Sequence, residues 1–173
     1  MKRILTVVFC LSLFPIAALT ETKATKQAEM RDQRFVNFVA QTDMVEANLG
    51  QLAKTAGASQ SVIDCAQTLV TDHTSDFQAL SDLAYKAGLL VPRAIDDENN
   101  RAVISPFQKL KGNAFDRRYI QLMIAEHAKA IAAYRKEAAD AKTPALKSYA
   151  EKTLPVLQKL LADTKDAEKT KAS

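Results

Sequence analysis

The amino-acid sequence predicts an all-α fold, an antiparallel four-helix bundle, and three observations carry that prediction. Apolar residues recur in steps of three and four over four long stretches, the period of one buried helix face. Glycine is scarce, at 4 of 173 residues, while the strong helix formers Ala, Leu, Lys, Glu and Gln abound. Two of the joints between the stretches are tight and the third is long. A chain of this length, 47% hydrophobic and 25% charged, is enough for one domain with a sizeable core.

The opening residues predict a targeting segment, not fold. "MKR" supplies a basic start and "ILTVVFCLSLFPIAAL" an apolar run broken by Pro15. The run falls short of the ~20 residues of a spanning helix. Small-residue exits follow, so residues 1–24 read as a cleaved secretory signal and the mature protein as periplasmic or secreted, with no transmembrane span. The leader holds Lys2, Arg3, Lys23 and Glu21, so half of the formal net charge of +4 leaves with it. The remaining charges are mixed in sign, which argues against a nucleic-acid partner. Cys10 also lies in the leader, and Cys65 is left alone on the edge of a buried stripe, an inert thiol with no internal disulfide.

The first helix is expected over about 29–56, with Phe35, Phe38, Thr42, Val45, Leu49, Leu52 and Ala56 along its seam and Gly57 as its stop. Ser59 is the expected cap of the second helix, about 60–87, whose stripe runs Val62, Ala66, Leu69, His73, Leu80, Leu83 and Ala87 before Gly88. A connection of about 24 residues follows, long for a bundle loop. Its "VPRAIDDENN" reads as irregular and its "RAVISPFQKL" as a short helix interrupted before Pro106. Asn113 is expected to cap the third helix, which buries Phe115, Tyr119, Ile120, Met123, His127, Ala130, Ile131 and Tyr134. Thr143 and Pro144 start the fourth, which buries Leu146, Tyr149, Ala150, Val156, Leu157, Leu160 and Leu161 and carries Pro155 inside it. The bundle is expected over 25–168, and the polar end from Asp163, including a tail at 169–173, is expected to fray. Two hairpins joined by a crossover give the connectivity of ferritin-like bundles, and an up-down-up-down bundle with an ornamented loop is the other topology open to this spacing.

Both histidines of the chain fall on buried stripes, near the midpoints of their helices. Glu46 leans inward from the first helix, about four residues or ~6 Å in level from His73. Asp76 shares the face of His73, three residues on. The waist therefore gathers Glu46, His73 and His127, with Asp76 as an outer partner. Two readings stand. One is a buried polar network that sets the register of the core. The other is a site for one divalent transition metal (zinc, copper or iron) with two imidazoles and a carboxylate. If the rings are buried and neutral, acid should destabilise the fold; a carboxylate partner would push the other way. The Glu-x-x-His motifs of di-iron bundles are absent, since Val70 and Ile124 stand where the glutamates would be. No nucleophile elbow, phosphate loop or paired-cysteine signature is present.

In order along the chain, "FVNFVAQTDMVEANLGQLA", "CAQTLVTDHTSDFQALSDLA", "LKGNAFDRRYIQLMIAEHAKAI" and "ALKSYAEKTLPVLQKLL" resemble the exported bacterial family called domain of unknown function 4142. The resemblance spans roughly 33–163 and rests on Glu46 with Leu49-Gly50, Asp72-His73, Phe115-Asp116 with Tyr119, His127, and Leu154-Pro155. It implies a ferritin-like fold and export, and no established activity. Members often carry a histidine where this chain has Leu160, so one imidazole of a His-rich site is replaced by an aliphatic side chain. The sequence thus favours a non-enzymatic envelope or stress-related protein that binds a protein partner or a second copy, with a metal-binding protein or oxidoreductase as the alternative.

Overall fold

The computed structural model describes residues 16–172, and these are helical with no strand. The long helices are α1 (Ile16–Thr55), α2 (Gln60–Lys86), α5 (Gly112–Asp140) and α6 (Pro144–Ala172). Between α2 and α5 lie a single turn, α3 (Asp97–Asn99), a wide π-type turn (Asn100–Ile104) and α4 (Ser105–Gln108). The leader expected over 1–24 lies outside the described residues as far as residue 15; residues 16–24 are the first turns of α1.

The termini of the helices show how they run. Gly57 and Gly88, both at positive φ, close α1 and α2 in the left-handed conformation glycine tolerates. The Gly112 amide bonds Ala56 O at 2.8 Å and Lys111 Nζ bonds Thr55 O at 3.2 Å, so α5 starts where α2 starts. The N-terminus of α6 lies at the far end, where Asp32 of α1 accepts from the amides of Lys142 and Thr143. Accordingly α2 and α5 run parallel, and both oppose α1 and α6. α1 packs along α2 and α5 along α6, with further contacts from α2 to α6 and from α1 to α5.

The long connection is held along α1 by two glutamines, two turns apart. Gln33 donates to Leu90 O and accepts from its amide; Gln41 does the same with Ala94 O and the Asp96 amide. Each primary amide thus satisfies backbone groups that have no helix or sheet partner. The wide turn sits immediately before Pro106, whose ring lacks an N–H and crowds a regular preceding turn. Phe107 then drops into the core against Phe115.

Several local expectations change. Ser59 stands at the N-cap of α2, but its hydroxyl makes no capping bond; the buried Asp116 carboxylate of α5 accepts from the Ser59 amide at 3.2 and 3.3 Å. Lys111, not Asn113, is the N-cap of α5. α6 does not fray at Asp163: Thr164 is buried, and Ala167 extends the apolar face of Leu157 and Leu160. Phe38, Thr42 and Leu52 are half-buried, and Val156 is exposed; Phe35, Val45, Leu49 and Ala56 are buried as expected, and Val36, Val39 and Ala53 complete the seam of α1.

Gly50 shows how closely α1 and α2 approach. A Cβ there would lie 2.5 Å from Val70 Cγ2 and 3.0 Å from Ala66 O, and backbone cannot yield as a side chain can. Gly50→Ala is therefore expected to cost about 1–3 kcal/mol in urea unfolding. A variant as stable as the parent would show that the helices part freely here.

Candidate metal centre

One turn of α1, "DMVE", brings Asp43 and Glu46 to the same face, three residues apart. α2 presents His73 and α5 presents His127 to that face. All four are buried: Asp43 and His73 are 3% exposed, Glu46 1% and His127 0%. His73 Nδ1 lies 2.9 Å from Asp43 Oδ1. When the Asp43 carboxylate is ionised it can only accept, which puts a proton on Nδ1 and leaves Nε2 facing the other way. His73 Nε2 lies 2.9 Å from Glu46 Oε2, and His127 Nε2 lies 3.1 Å from the same oxygen. The two rings stack at 5.8 Å between centroids, 17° from parallel.

These short distances are not matched by hydrogen-bond direction. Neither Nε2, nor Oε1 or Oε2 of Glu46, has a partner in hydrogen-bonding geometry. Contact is close, but the N–H vectors miss the oxygen. Three ligand atoms, one each from Glu46, His73 and His127, lie within 4.8 Å of one another. Ligands at ~2.0–2.1 Å from a tetrahedral ion stand about 3.4 Å apart, so small outward shifts would open this cluster to one.

The sequence-predicted trio is thus brought together. The ~6 Å offset in level between Glu46 and His73 closes because side chains tilt toward the N-terminus of their own helix. In antiparallel α1 and α2 the two tilts converge. The acid on His73 Nδ1 is Asp43, a residue the sequence reading left out. Its signal was the three-residue spacing to Glu46. Asp76, expected as the outer partner, accepts instead from the hydroxyls of Tyr134 (2.9 Å) and Tyr149 (2.7 Å), themselves 3.0 Å apart. Tyr119, one turn before Met123 on α5, is fully buried with its hydroxyl unpartnered. Cys65 is a half-buried free thiol, and burial pushes it up, against the neighbouring Thr164 side chain.

The electrostatics follow from two carboxylates buried beside two rings. Burial pushes Asp43 up to about 7, against the hydrogen bond from His73. Burial also opposes the charge of Glu46, but the His73 charge and contacts from both rings draw it down to about 2. Burial disfavours charge on His73 too, yet Glu46 and Asp43 together hold it well above the ordinary histidine value. Away from the cluster, burial and the neighbouring Asp32 push Glu137 up to about 7.

Asp43, His73 and Glu137 all hold a proton more tightly folded than unfolded. Their stabilising contributions are complete below the unfolded pKa of each and vanish as pH rises through the folded one. Glu46 is the reverse, stabilising above about 4.5 and losing this as pH falls toward 2. For His73 the acid lability expected of a buried neutral ring is therefore replaced by its opposite. The metal-free protein should melt highest near pH 5 and at least about 5 °C lower at pH 8, by scanning calorimetry. A melting temperature that climbs from pH 5 to pH 8 would contradict these assignments.

Neither curated proteins nor solved structures give a match to this chain. A family model does, over residues 17–167, nearly all of the described helices and every residue of the cluster. On that match the chain belongs to the family described as "Domain of unknown function (DUF4142)".

Proposed function

We propose that this is an exported protein with a ferritin-like four-helix bundle, a long crossover between α2 and α5, and one divalent transition metal ion held by Glu46, His73 and His127. The convergence of two ring nitrogens and one carboxylate oxygen, close but not hydrogen-bonded, carries the reading. A buried network selected for structure alone would align its hydrogen bonds. Among the described residues no Lys or Arg pairs with Asp43 or Glu46, so His73 is the positive partner they share, and a divalent ion that displaced its proton would balance both carboxylates together. The Asp43–His73 pair supplies the outer contact that fixes a metal-bound imidazole.

Two imidazoles and a carboxylate suit zinc, copper or iron, and three protein ligands leave a position for solvent or an incoming ligand. The parallel course of α2 and α5 supports the bundle topology. The basic and apolar leader over 1–24 supports export. Among the described residues, no helix is long and apolar enough to cross a membrane.

The test is calorimetric titration of the purified, chelator-stripped protein with zinc, then with copper(II). One ion per chain at micromolar affinity or better supports the reading; no stoichiometric uptake of either leaves a structural network. Asp43→Asn should keep the stoichiometry and weaken zinc binding about 10- to 100-fold, as loss of an outer partner does. An unchanged affinity would remove Asp43 from the site.

A further inference from the structure

The cluster is closed to solvent at its own atoms, and Glu46 belongs to the lining of a surface cleft. A cleft of about 380 Å³ runs between α1, α5 and the connecting segment, and Glu46 and Met123 lie at its base. Asp96, Asn99 and Val103 form its outer wall, and Glu126 and Lys129 stand on the α5 side. Glu46 Oε1 has no partner although the residue is 1% exposed. A divalent cation carrying six waters at ~30 Å³ each needs roughly 180 Å³, less than the volume of the cleft. The wall bonds inward to Gln41 and does not fill the space.

We propose that this cleft is the entry route for a hydrated divalent cation, drawn in past Glu126 and handed to Glu46. The inference rests on the metal-binding reading above and adds to it the path and the sign of its gate. Lys129 is that gate. Its ammonium lies 3.2 Å from Glu126 Oε2 and 5.5 Å from the centre of the Phe38 ring, so one positive charge sits where a cation must pass. Glu126 attracts the incoming ion and Lys129 repels it. The two substitutions must therefore act in opposite directions.

A second cleft, about 280 Å³ between α2 and α6, touches His73 from the other side. Its inner carboxylate, Asp76, is already occupied by two tyrosine hydroxyls, and Val156, Leu157 and Leu160 line its α6 wall. Asp72 stands in its lining beside Lys152, and the cleft leads to His73 and not to the unpartnered Glu46.

The experiment is stopped-flow loading of the chelator-stripped protein with zinc, followed by transfer from a fluorescent indicator. Thr42→Phe, which narrows the first cleft, should slow loading about tenfold or more and leave the final stoichiometry and dissociation constant unchanged, because entry and exit share the path. Ala79→Phe in the second cleft should load at the parental rate. At low salt, Glu126→Gln should slow loading about threefold and Lys129→Gln should quicken it about threefold, both effects fading at high salt. The last two sites lie at the surface, so they test the proposal even if Thr42→Phe folds poorly. Equal slowing by Ala79→Phe, or charge variants that shift the rate in one direction or not at all, would overturn it. A parent that takes up zinc while Thr42→Phe loads normally sinks only the route; a parent that takes up none sinks the metal reading and the route together.

Discussion

His73→Ala is expected to abolish stoichiometric zinc binding, with any residual affinity at least about a thousandfold weaker, or about 4 kcal/mol. The ring is a shared member of two contacts, Asp43 on Nδ1 and Glu46 on Nε2. Removing it leaves one imidazole and one carboxylate, too few for a specific site for a transition metal. The variant also strands Asp43 in the interior, so its metal-free form should lose about 1–3 kcal/mol of stability. Binding and stability are separable readouts. A variant that loses stability while retaining the parental zinc stoichiometry would place the ion elsewhere, and the trio would then be a structural network alone. His127→Ala should lose zinc as well, but it leaves the Asp43–His73 contact in place and should destabilise the metal-free protein less.

Glu46→Ala is the second large effect. Its carboxylate sits against both rings at 2.9 and 3.1 Å and is the ionised partner of His73. Without it the His73 charge keeps only Asp43, and His127 loses its sole acidic neighbour in the cluster. Loss of one member of a buried ionic set costs about 3–5 kcal/mol, here on the order of 10 °C in melting temperature. Replacing the whole set removes the penalty instead of exposing it. A variant with leucine for Glu46, His73 and His127, and Asp43→Asn, should therefore recover most of the loss in the metal-free state, since apolar substitutes of similar volume match or exceed a buried ionic network. It should bind no zinc. If Glu46→Ala melts within about 2 °C of the parent, the cluster is not the strained, charge-rich site described here. Together the two variants distinguish a site kept for binding from one kept for stability. In the first case the native set is the less stable solution; in the second the leucine variant should be the worse one.

Family membership adds a constraint on the same residues. The match extends over residues 17–167, so it covers Asp43, Glu46, His73 and His127 together with the helices that position them. Leu160 is buried in the same core cluster as Tyr119 and Met123, beside the cleft that reaches His73. Leu160→His is therefore a direct way to ask whether this chain retains a vacancy for a further nitrogen ligand. Tighter zinc binding in that variant is the expected result, and a weaker one would show that the apolar contact at this position holds the rings in register.

Much of this protein was legible residue by residue. The three-and-four spacing of apolar positions marked α1, α2, α5 and α6, because a helix buries one face at that period whatever it packs against. Gly57, Gly88 and Pro144 marked the ends, since left-handed backbone and a missing N–H are local requirements. The inward faces of Glu46, His73 and His127 were readable for the same reason. The tertiary structure decided the rest. It assigned Asp43 and not Asp76 to His73, brought Asp116 of α5 to accept from the amide of the Ser59 cap, and extended α6 past Asp163 by burying Thr164. Each of these depends on where a side chain from one helix ends against another, a level set by the register of the hairpins and by the tilt of side chains along their own axes. A period along one chain specifies which face is buried, and only packing specifies what that face meets.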